Sequence, residues 1–110
     1  MPLMTVVETT TFKNAADSLL GEDNRLELIT FLAQNPEAGK VIPGTGGVRK
    51  VRWARENEGK RGGYRVVYYF YTEEIPLFAL LVYPKNVRDS LTTGEKNGLK
   101  KLIRELVEQY

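Results

Sequence analysis

The chain contains no cysteine and no histidine among its 110 residues. Without cysteine, disulfides and thiolate chemistry are excluded; without histidine, the commonest zinc ligand and the usual proton shuttle at neutral pH are missing. Any catalysis must therefore use Lys, Arg, Tyr or a carboxylate. We expect neither a metal ion nor a cofactor.

Long apolar segments are also missing. The longest apolar run covers residues 75–83, which is less than half the length that spans a bilayer. Nothing in the sequence resembles a signal peptide, so the cytoplasm is the expected location. A chain of 110 residues has room for one hydrophobic core, and we expect residues 1–110 to form a single domain.

The positive charges are concentrated in one segment, although the net charge is only +2. Residues 40–65 carry eight of the 16 Lys and Arg, against only Glu56 and Glu58. Residues 1–39 carry two basic and six acidic side chains, and residues 66–110 carry six of each. The central cluster should create a local positive potential that attracts a polyanion.

The N-terminal third predicts one strand and two helices. Residues 5–9 show a period-two pattern of side chains and are rich in β-branched residues, which favours a strand. Apolar side chains recur at helical spacing over residues 12–20 and 26–33, which predicts a hairpin of two amphipathic helices. Gly21 suits the residue that closes the first helix. The Asn-Pro pair at 35–36 should end the second, because a residue before proline avoids the α region.

The middle of the chain predicts a three-stranded meander after a loop. Residues 39–47 contain four glycines, and such a loop permits close approach of the backbone to another group. Residues 48–55 and 64–72 are predicted to form two strands with a turn between them. Residues 77–83 are predicted to form the partner strand of residues 64–72. In the first of these strands, alternation places Arg49 and Trp53 on one face and Lys50 and Arg52 on the other.

The C-terminal segment predicts a helix that covers one face of the sheet. Thr92 and Glu95 have the spacing of a capping box. An apolar stripe follows at helical spacing, formed by Leu99, Leu102, Ile103, Leu106, Val107 and Tyr110. The order strand, two helices, three strands and helix predicts an α+β fold with a small antiparallel or mixed sheet, part of one face remaining open.

Four stretches of the sequence together resemble a known family. They are NPEAGKVIPGTGGVRKVRWA, GKRGGYRVVYY, YPKN and LTTGEKNGLKKL, in that order between about residues 26 and 110. They are similar to the RelE/HigB superfamily of bacterial toxins, nearest the HigB-type branch. The resemblance implies a RelE-like fold and a small, metal-independent endoribonuclease that cuts messenger RNA in the A site of the 70S ribosome. It also implies contacts with ribosomal RNA and silencing by a cognate antitoxin protein.

In metal-free RNA cleavage, the 2′-hydroxyl of a nucleotide attacks the adjacent phosphate. This reaction needs a base, cations on the developing negative charge, and a proton donor for the leaving 5′-oxygen. Arg65, which follows a Gly-Gly turn at the mouth of the basic region, is the first candidate to hold the scissile phosphate, and Arg55 is the second. Neighbouring positive charges favour the neutral amine of a lysine, so Lys60 and Lys85 are the acid–base candidates. The resemblance supports Arg65 and Lys85 best.

Further residues are candidates for proton transfer or for RNA binding. Many RelE-like proteins use a tyrosine or histidine near the C-terminus for proton transfer, and Tyr83 is the residue available here. Trp53 is better explained by core packing than by base stacking. The side chains expected to bind RNA or the ribosome are Arg49, Lys50, Arg52 and Arg61.

Two other functions stay open at this stage. One is a ParE-like toxin, which resembles this architecture but inhibits DNA gyrase. The other is a non-catalytic module that binds RNA or another anion through the basic face. Graded losses of binding across all cations would indicate such a module, whereas an active site predicts one or two residues of dominant effect.

Overall fold

The computed structural model describes residues 3–54, 63–88 and 90–110. The α+β fold predicted from the sequence is confirmed, with one additional short strand. In chain order the elements are β1 (Val6–Glu8), α1 (Thr10–Leu20), α2 (Glu22–Gln34), β2 (Lys40–Val41), β3 (Val48–Trp53), β4 (Tyr64–Tyr69), β5 (Leu77–Pro84) and α3 (Thr93–Val107).

The five strands form one mixed sheet in the order β1-β5-β4-β3-β2. Strands β3, β4 and β5 make the predicted antiparallel meander. β1 lies parallel to β5 at one edge, and the two-residue β2 pairs antiparallel with β3 at the other. β4 is therefore the central strand, with two strands on either side.

Helices pack on both faces of this sheet. On the hairpin face, α1 and α2 bury Phe12, Ala16 and Leu28 against sheet side chains that include Val66 and Tyr68. On the α3 face, a separate cluster joins the sheet to α3; its buried members are Val48, Val67, Tyr69, Phe78, Leu80, Tyr83, Leu91, Leu99 and Ile103. Neighbouring residues of β3, β4 and β5 thus contribute to two different cores, as strand alternation requires.

The predicted helix ends agree with the structure. Gly21, between α1 and α2, has a φ of 82°, which glycine adopts without steric cost. Asn35 caps the end of α2. The capping box is present at α3: the Thr92 hydroxyl accepts a bond from the Glu95 N–H (3.1 Å), and a Glu95 carboxylate oxygen accepts one from the Thr92 N–H (2.9 Å).

Several predicted boundaries were wrong. β4 ends at Tyr69 and not at residue 72, because its partner strand starts at Leu77 and the preceding Pro76 has no N–H for a ladder. The predicted loop 39–47 contains β2, whose two residues are too few to show any periodicity in the sequence. Tyr110 lies beyond the end of α3 and is mostly exposed.

A buried arginine joins the helical hairpin to the edge of the sheet. Arg25 on α2 donates to both oxygens of Glu8 on β1 (2.8 Å each) and to Asp17 on α1. These hydrogen bonds, first from Glu8 and then from Asp17, raise the pKa of Arg25 above its ordinary value. One guanidinium thereby holds three elements together. No local sequence pattern distinguishes Arg25 from an exposed helical cation.

Candidate functional site

The register of the sheet brings like charges together on the α3 face. Arg52 on β3 lies directly opposite Arg65 on β4. Lys50, two residues before Arg52 on β3, lies directly opposite Lys40 on β2. Side chains opposite each other on antiparallel strands share one face, and like charges in such pairs destabilise a sheet. Two adjacent pairs of cations are therefore a costly arrangement, which is typical of a surface that binds anions.

These four cations line one cleft of about 500 Å³ at the β2–β3 edge of the sheet. Its remaining lining residues are small or apolar and come mainly from β2 and the residues on either side of it: Ala38, Val41, Ile42, Pro43 and Val51. Among the described residues that line the cleft there is no carboxylate. The cleft can therefore place several cations around one anionic chain.

Arg65 lies at the floor of this cleft and not at its mouth, as the sequence had suggested. Its side chain is only 5% exposed because β4 is the central strand and is flanked by β3 and β5. It nevertheless lines the cleft. A planar guanidinium held by packing on a central strand is well ordered, which suits bidentate binding of a phosphate.

Tyr83 extends the row of functional candidates across the next strand. It lies opposite Arg65 in the β4–β5 register, so Arg52, Arg65 and Tyr83 follow one another across three strands. The guanidinium carbon of Arg88 lies 4.5 Å from the centroid of the Tyr83 ring, a cation–π contact. Arg88 in turn donates to both carboxylate oxygens of Glu95. The start of α3 thus holds Arg88 over the Tyr83 ring.

The ion pair at the start of α3 also affects Glu95 itself. The hydrogen bond from Arg88, followed by that from the Thr92 backbone, lowers the pKa of the Glu95 carboxyl. This carboxylate therefore both caps α3 and fixes Arg88. The sequence predicted the first role from the spacing but not the second, because the contact depends on the turn between β5 and α3.

Lys85 is exposed in the turn that follows β5. Its backbone N–H donates to the Gly63 carbonyl at 3.0 Å, which places it beside the start of β4 and near the same end of the sheet as Arg65. It is not among the residues that line the cleft. The structure thus keeps Lys85 near the row of candidates but outside the enclosed part.

Three predicted site residues, Arg55, Lys60 and Arg61, lie outside the described residues, as does most of the turn predicted between the first and second strands of the meander. Their predicted roles stay predictions.

Arg49 faces away from the cleft. It lies opposite Tyr68 on the hairpin face, and its Nη1 donates to the backbone carbonyls of Gly39 (2.8 Å) and Glu37 (3.4 Å). Alternation had already placed it on the other side from Lys50 and Arg52. The structure therefore gives Arg49 a position that holds the segment before β2 and no position in the cleft.

Trp53 and the tyrosines divide between the two faces. The Trp53 indole donates to Asn24 on α2 (3.0 Å), and its ring lies 5.4 Å from Phe31, so the core-packing interpretation is confirmed. Tyr71 is 60% exposed and stacks on Tyr69 at 6.4 Å between ring centroids. Burial raises the pKa of the Tyr69 hydroxyl, so this group stays neutral.

Sequence reasoning missed two residues near the site. Lys40 was counted in the basic cluster but given no role, because only the pairing of β2 with β3 shows that it lies opposite Lys50. Arg88 was not considered at all. Its sequence neighbourhood resembles an ordinary turn, and only the contact with Tyr83 gives it a place in the site.

The fold and the cleft define a small α+β protein that presents a cationic site on an open part of a sheet. A comparison with protein families then identifies the chain more closely. The family model of the RelE toxin of the RelE/RelB toxin-antitoxin system matches residues 4–109. The chain therefore belongs to the RelE toxin family, and a cognate antitoxin is its expected partner.

Two further properties bear on the site. Within the described ranges, no helix combines the length and apolar character needed to cross a membrane. In the same residues, no group of three or more carboxylates lies close enough together to hold a metal ion.

Proposed function

We propose that this protein is a toxin of the HigB-type branch that cleaves translated messenger RNA in the ribosomal A site. The observation that carries the proposal is the row of Arg52, Arg65 and Tyr83 across three neighbouring strands. It gathers two guanidinium groups and a phenol on one face, beside a cleft lined by Lys40 and Lys50. The four motifs quoted above support the branch assignment.

The proposed reaction needs no group that the chain lacks. The 2′-oxygen attacks the adjacent phosphorus, and the bond from phosphorus to the 5′-oxygen breaks, which leaves a 2′,3′-cyclic phosphate. The 2′-hydroxyl proton passes to a base, and the leaving 5′-oxygen takes up a proton. Negative charge grows on the non-bridging oxygens during this step, and preorganised cations stabilise it more in the transition state than in the ground state.

Each residue has a role that follows from its position. Arg65, ordered on the central strand, holds the scissile phosphate from the floor of the cleft. Arg52 lies opposite it and binds the same phosphate from the edge. Tyr83 and the more exposed Lys85 are the proposed proton-transfer groups, since both lie beside the end of β4 that carries Arg65. Orientation of the message by the ribosome supplies part of the rate.

The antitoxin is proposed to act on the same surface. An open cationic cleft next to a short edge strand can be blocked by a partner segment that covers it or shifts β2. Co-expression of the chain with the protein encoded beside it should therefore yield a complex that does not cleave messages.

The test is to induce the chain alone and map new 5′ ends on translated messages. Wild type should produce cuts within open reading frames. Arg65→Ala should reduce cleavage on programmed ribosomes by roughly 10²- to 10³-fold, as loss of one transition-state donor typically does. Lys13→Ala, on α1 and on the hairpin face, is the control and should cleave like wild type.

Intact messages during growth arrest would contradict the proposal. If replication stopped while translation continued, the gyrase-inhibiting alternative would be favoured. If Arg65→Ala and every other cleft variant gave equal, graded losses of binding with no cleavage by wild type, the chain would be a binding module.

A further inference from the structure

The smallest strand of the sheet is held by side chains from the opposite face. The Tyr68 hydroxyl accepts a bond from the Gly39 N–H (2.7 Å) and donates to the Pro36 carbonyl (2.9 Å). Arg49 donates to the Gly39 carbonyl at 2.8 Å. Gly39 directly precedes β2, so both of its backbone polar groups are bound by side chains of β3 and β4.

The bonds from Tyr68 and Arg49 to the Gly39 backbone form a clamp on the start of β2. This clamp requires close packing around Gly39. A Cβ atom at this position would lie 2.9 Å from the Lys50 carbonyl oxygen and 2.9 Å from a Tyr68 ring carbon. No other residue fits there without a shift of the backbone. Tyr68 itself is completely buried, and burial raises the pKa of its hydroxyl despite the bond from Gly39. The hydroxyl therefore stays neutral and able to donate and accept.

Burial of apolar area does not account for this arrangement. Both residues of β2 are exposed, and Val41 is 52% exposed, so the strand buries little apolar area. It also places Lys40 opposite Lys50, which costs stability because the two charges are alike. A buried tyrosine, an arginine and an obligatory glycine thus hold a strand whose own contribution to the fold is small or unfavourable.

The clamp does fix the position of one cation. Lys40 lines the cleft together with Lys50, Arg52 and Arg65. It shares the α3 face with them, and the Lys40–Lys50 pair lies two residues along β3 from the Arg52–Arg65 pair. Two residues of a strand span about 7 Å. The two pairs can therefore contact different phosphates of one extended RNA strand.

We propose that Lys40 binds a phosphate next to the scissile one, and that Tyr68 and Arg49 are positioning residues that hold Lys40 through the Gly39 backbone. The inference rests on the proposed RNA substrate of the cleft. It adds a residue to the binding surface and explains why the segment before β2 is clamped.

The first experiment measures the binding of a short, fluorescently labelled single-stranded RNA as a function of salt. Lys40→Ala should weaken binding roughly tenfold, as expected for one charge-assisted contact. It should also reduce the slope of log affinity against log salt by about 0.7, the value for one phosphate contact on a single strand. Lys40→Arg keeps the charge and should restore most of both. Lys13→Ala removes the same charge from the opposite face and should change neither.

The second experiment uses programmed ribosomes and separates binding from chemistry. Lys40→Ala should raise KM for the programmed ribosome and leave kcat within about twofold of wild type, because it contacts a phosphate that does not react. Arg65→Ala, measured beside it, should lower kcat. The two variants thus give different kinetic signatures within one cleft.

A double-mutant cycle tests the clamp. Tyr68→Phe keeps the buried ring and removes the hydroxyl. It should reproduce part of the loss in RNA affinity and salt slope in the wild-type background and have no further effect in the Lys40→Ala background. A purely structural role of Tyr68 would instead lower the melting temperature of both proteins and leave the salt slope unchanged.

The outcomes separate this inference from the proposed function. If Lys40→Ala binds RNA like Lys13→Ala, the role of Lys40 is wrong even where wild type cleaves messages. If wild type binds RNA in a Lys40-dependent way but does not cleave, the nuclease proposal fails, and Lys40 remains a phosphate-binding residue of the cleft. Absence of RNA binding by wild type would overturn both. An equal effect of Tyr68→Phe in the two backgrounds would overturn the positioning role.

Discussion

The two faces of the sheet use their cations in opposite ways. On the hairpin face, Arg25 is buried between the carboxylates of Glu8 and Asp17, and Arg49 donates to backbone carbonyls. On the α3 face, Arg52 lies opposite Arg65 and Lys50 lies opposite Lys40. In the first arrangement each guanidinium donates hydrogen bonds to oxygen atoms of the protein. The second places like charges side by side, where an anion from outside the protein would stabilise them.

This difference shows that the number of cations in a segment says little about their function. Arg49 and Lys50 are neighbours in the sequence, and both belong to the basic cluster. One faces the hairpin and holds the backbone of a loop, while the other lines the cleft. The position of each side chain in the sheet decides whether it faces the helical hairpin or lines the cleft.

The largest effect is expected on the hairpin face. Arg25→Ala removes the charge-assisted hydrogen bonds to Glu8 and Asp17, whose side chains are themselves 20% and 39% exposed, and loss of such bonds typically costs about 1.5–3 kcal/mol. The free energy of unfolding, measured in urea, should fall by this order. Arg104→Ala, at an exposed position of α3, is the control and should stay within about 0.5 kcal/mol of wild type. A loss below about 1 kcal/mol for Arg25→Ala would mean that the network contributes little.

The opposite pattern is expected in the cleft. Arg52→Ala removes one member of a like-charge pair, so the free energy of unfolding should be unchanged or rise by up to about 1 kcal/mol. Cleavage on programmed ribosomes should nevertheless fall by roughly 10- to 100-fold, since a charge-assisted contact to the phosphate is lost. Arg52→Lys should recover part of the activity. A clear loss of stability with Arg52→Ala would remove the contrast between the faces.

The smallest effect concerns the ion pair beside Tyr83. The pKa of Glu95 is lowered in the folded protein, so its contribution to stability is present at neutral pH and is lost as the pH falls through its folded value, below the ordinary value of about 4.5. Glu95→Gln keeps a hydrogen-bond acceptor for the cap but removes the charge that pairs with Arg88, so the free energy of unfolding should fall by up to about 1 kcal/mol at pH 7. The difference from wild type should disappear in acid. A difference that persists under strongly acidic conditions would contradict this assignment.

Much of the architecture could be predicted from local patterns. Thr92 and Glu95 indicated the start of α3 because a capping box depends only on residues three apart. The Asn-Pro pair at 35–36 indicated the end of α2, since its effect is steric and local. The meander followed from alternating strands with short connections, and alternation also separated Arg49 from Lys50.

The composition of the site was harder to predict. Arg65 was chosen as a candidate from its place after the Gly-Gly turn, but its burial follows from the central position of β4 in the strand order. Lys40 could not be assigned a role from the sequence, because β2 has only two residues and the position of Lys40 depends on the residue that lies opposite it in the sheet. Arg25 resembles an ordinary surface cation on a helix until Glu8 and Asp17 are brought to it.

The sequence by itself determined the three helices and the β-rich centre. It also determined which side-chain groups are present for chemistry, namely a dense group of cations, and which are missing, namely thiol and imidazole. These follow from neighbouring residues, whose effects on backbone conformation and local charge act over short range. Only the tertiary structure decided which cations meet each other and which meet a carboxylate. Strand order and register bring together residues that are far apart in the chain, and no local pattern specifies that pairing.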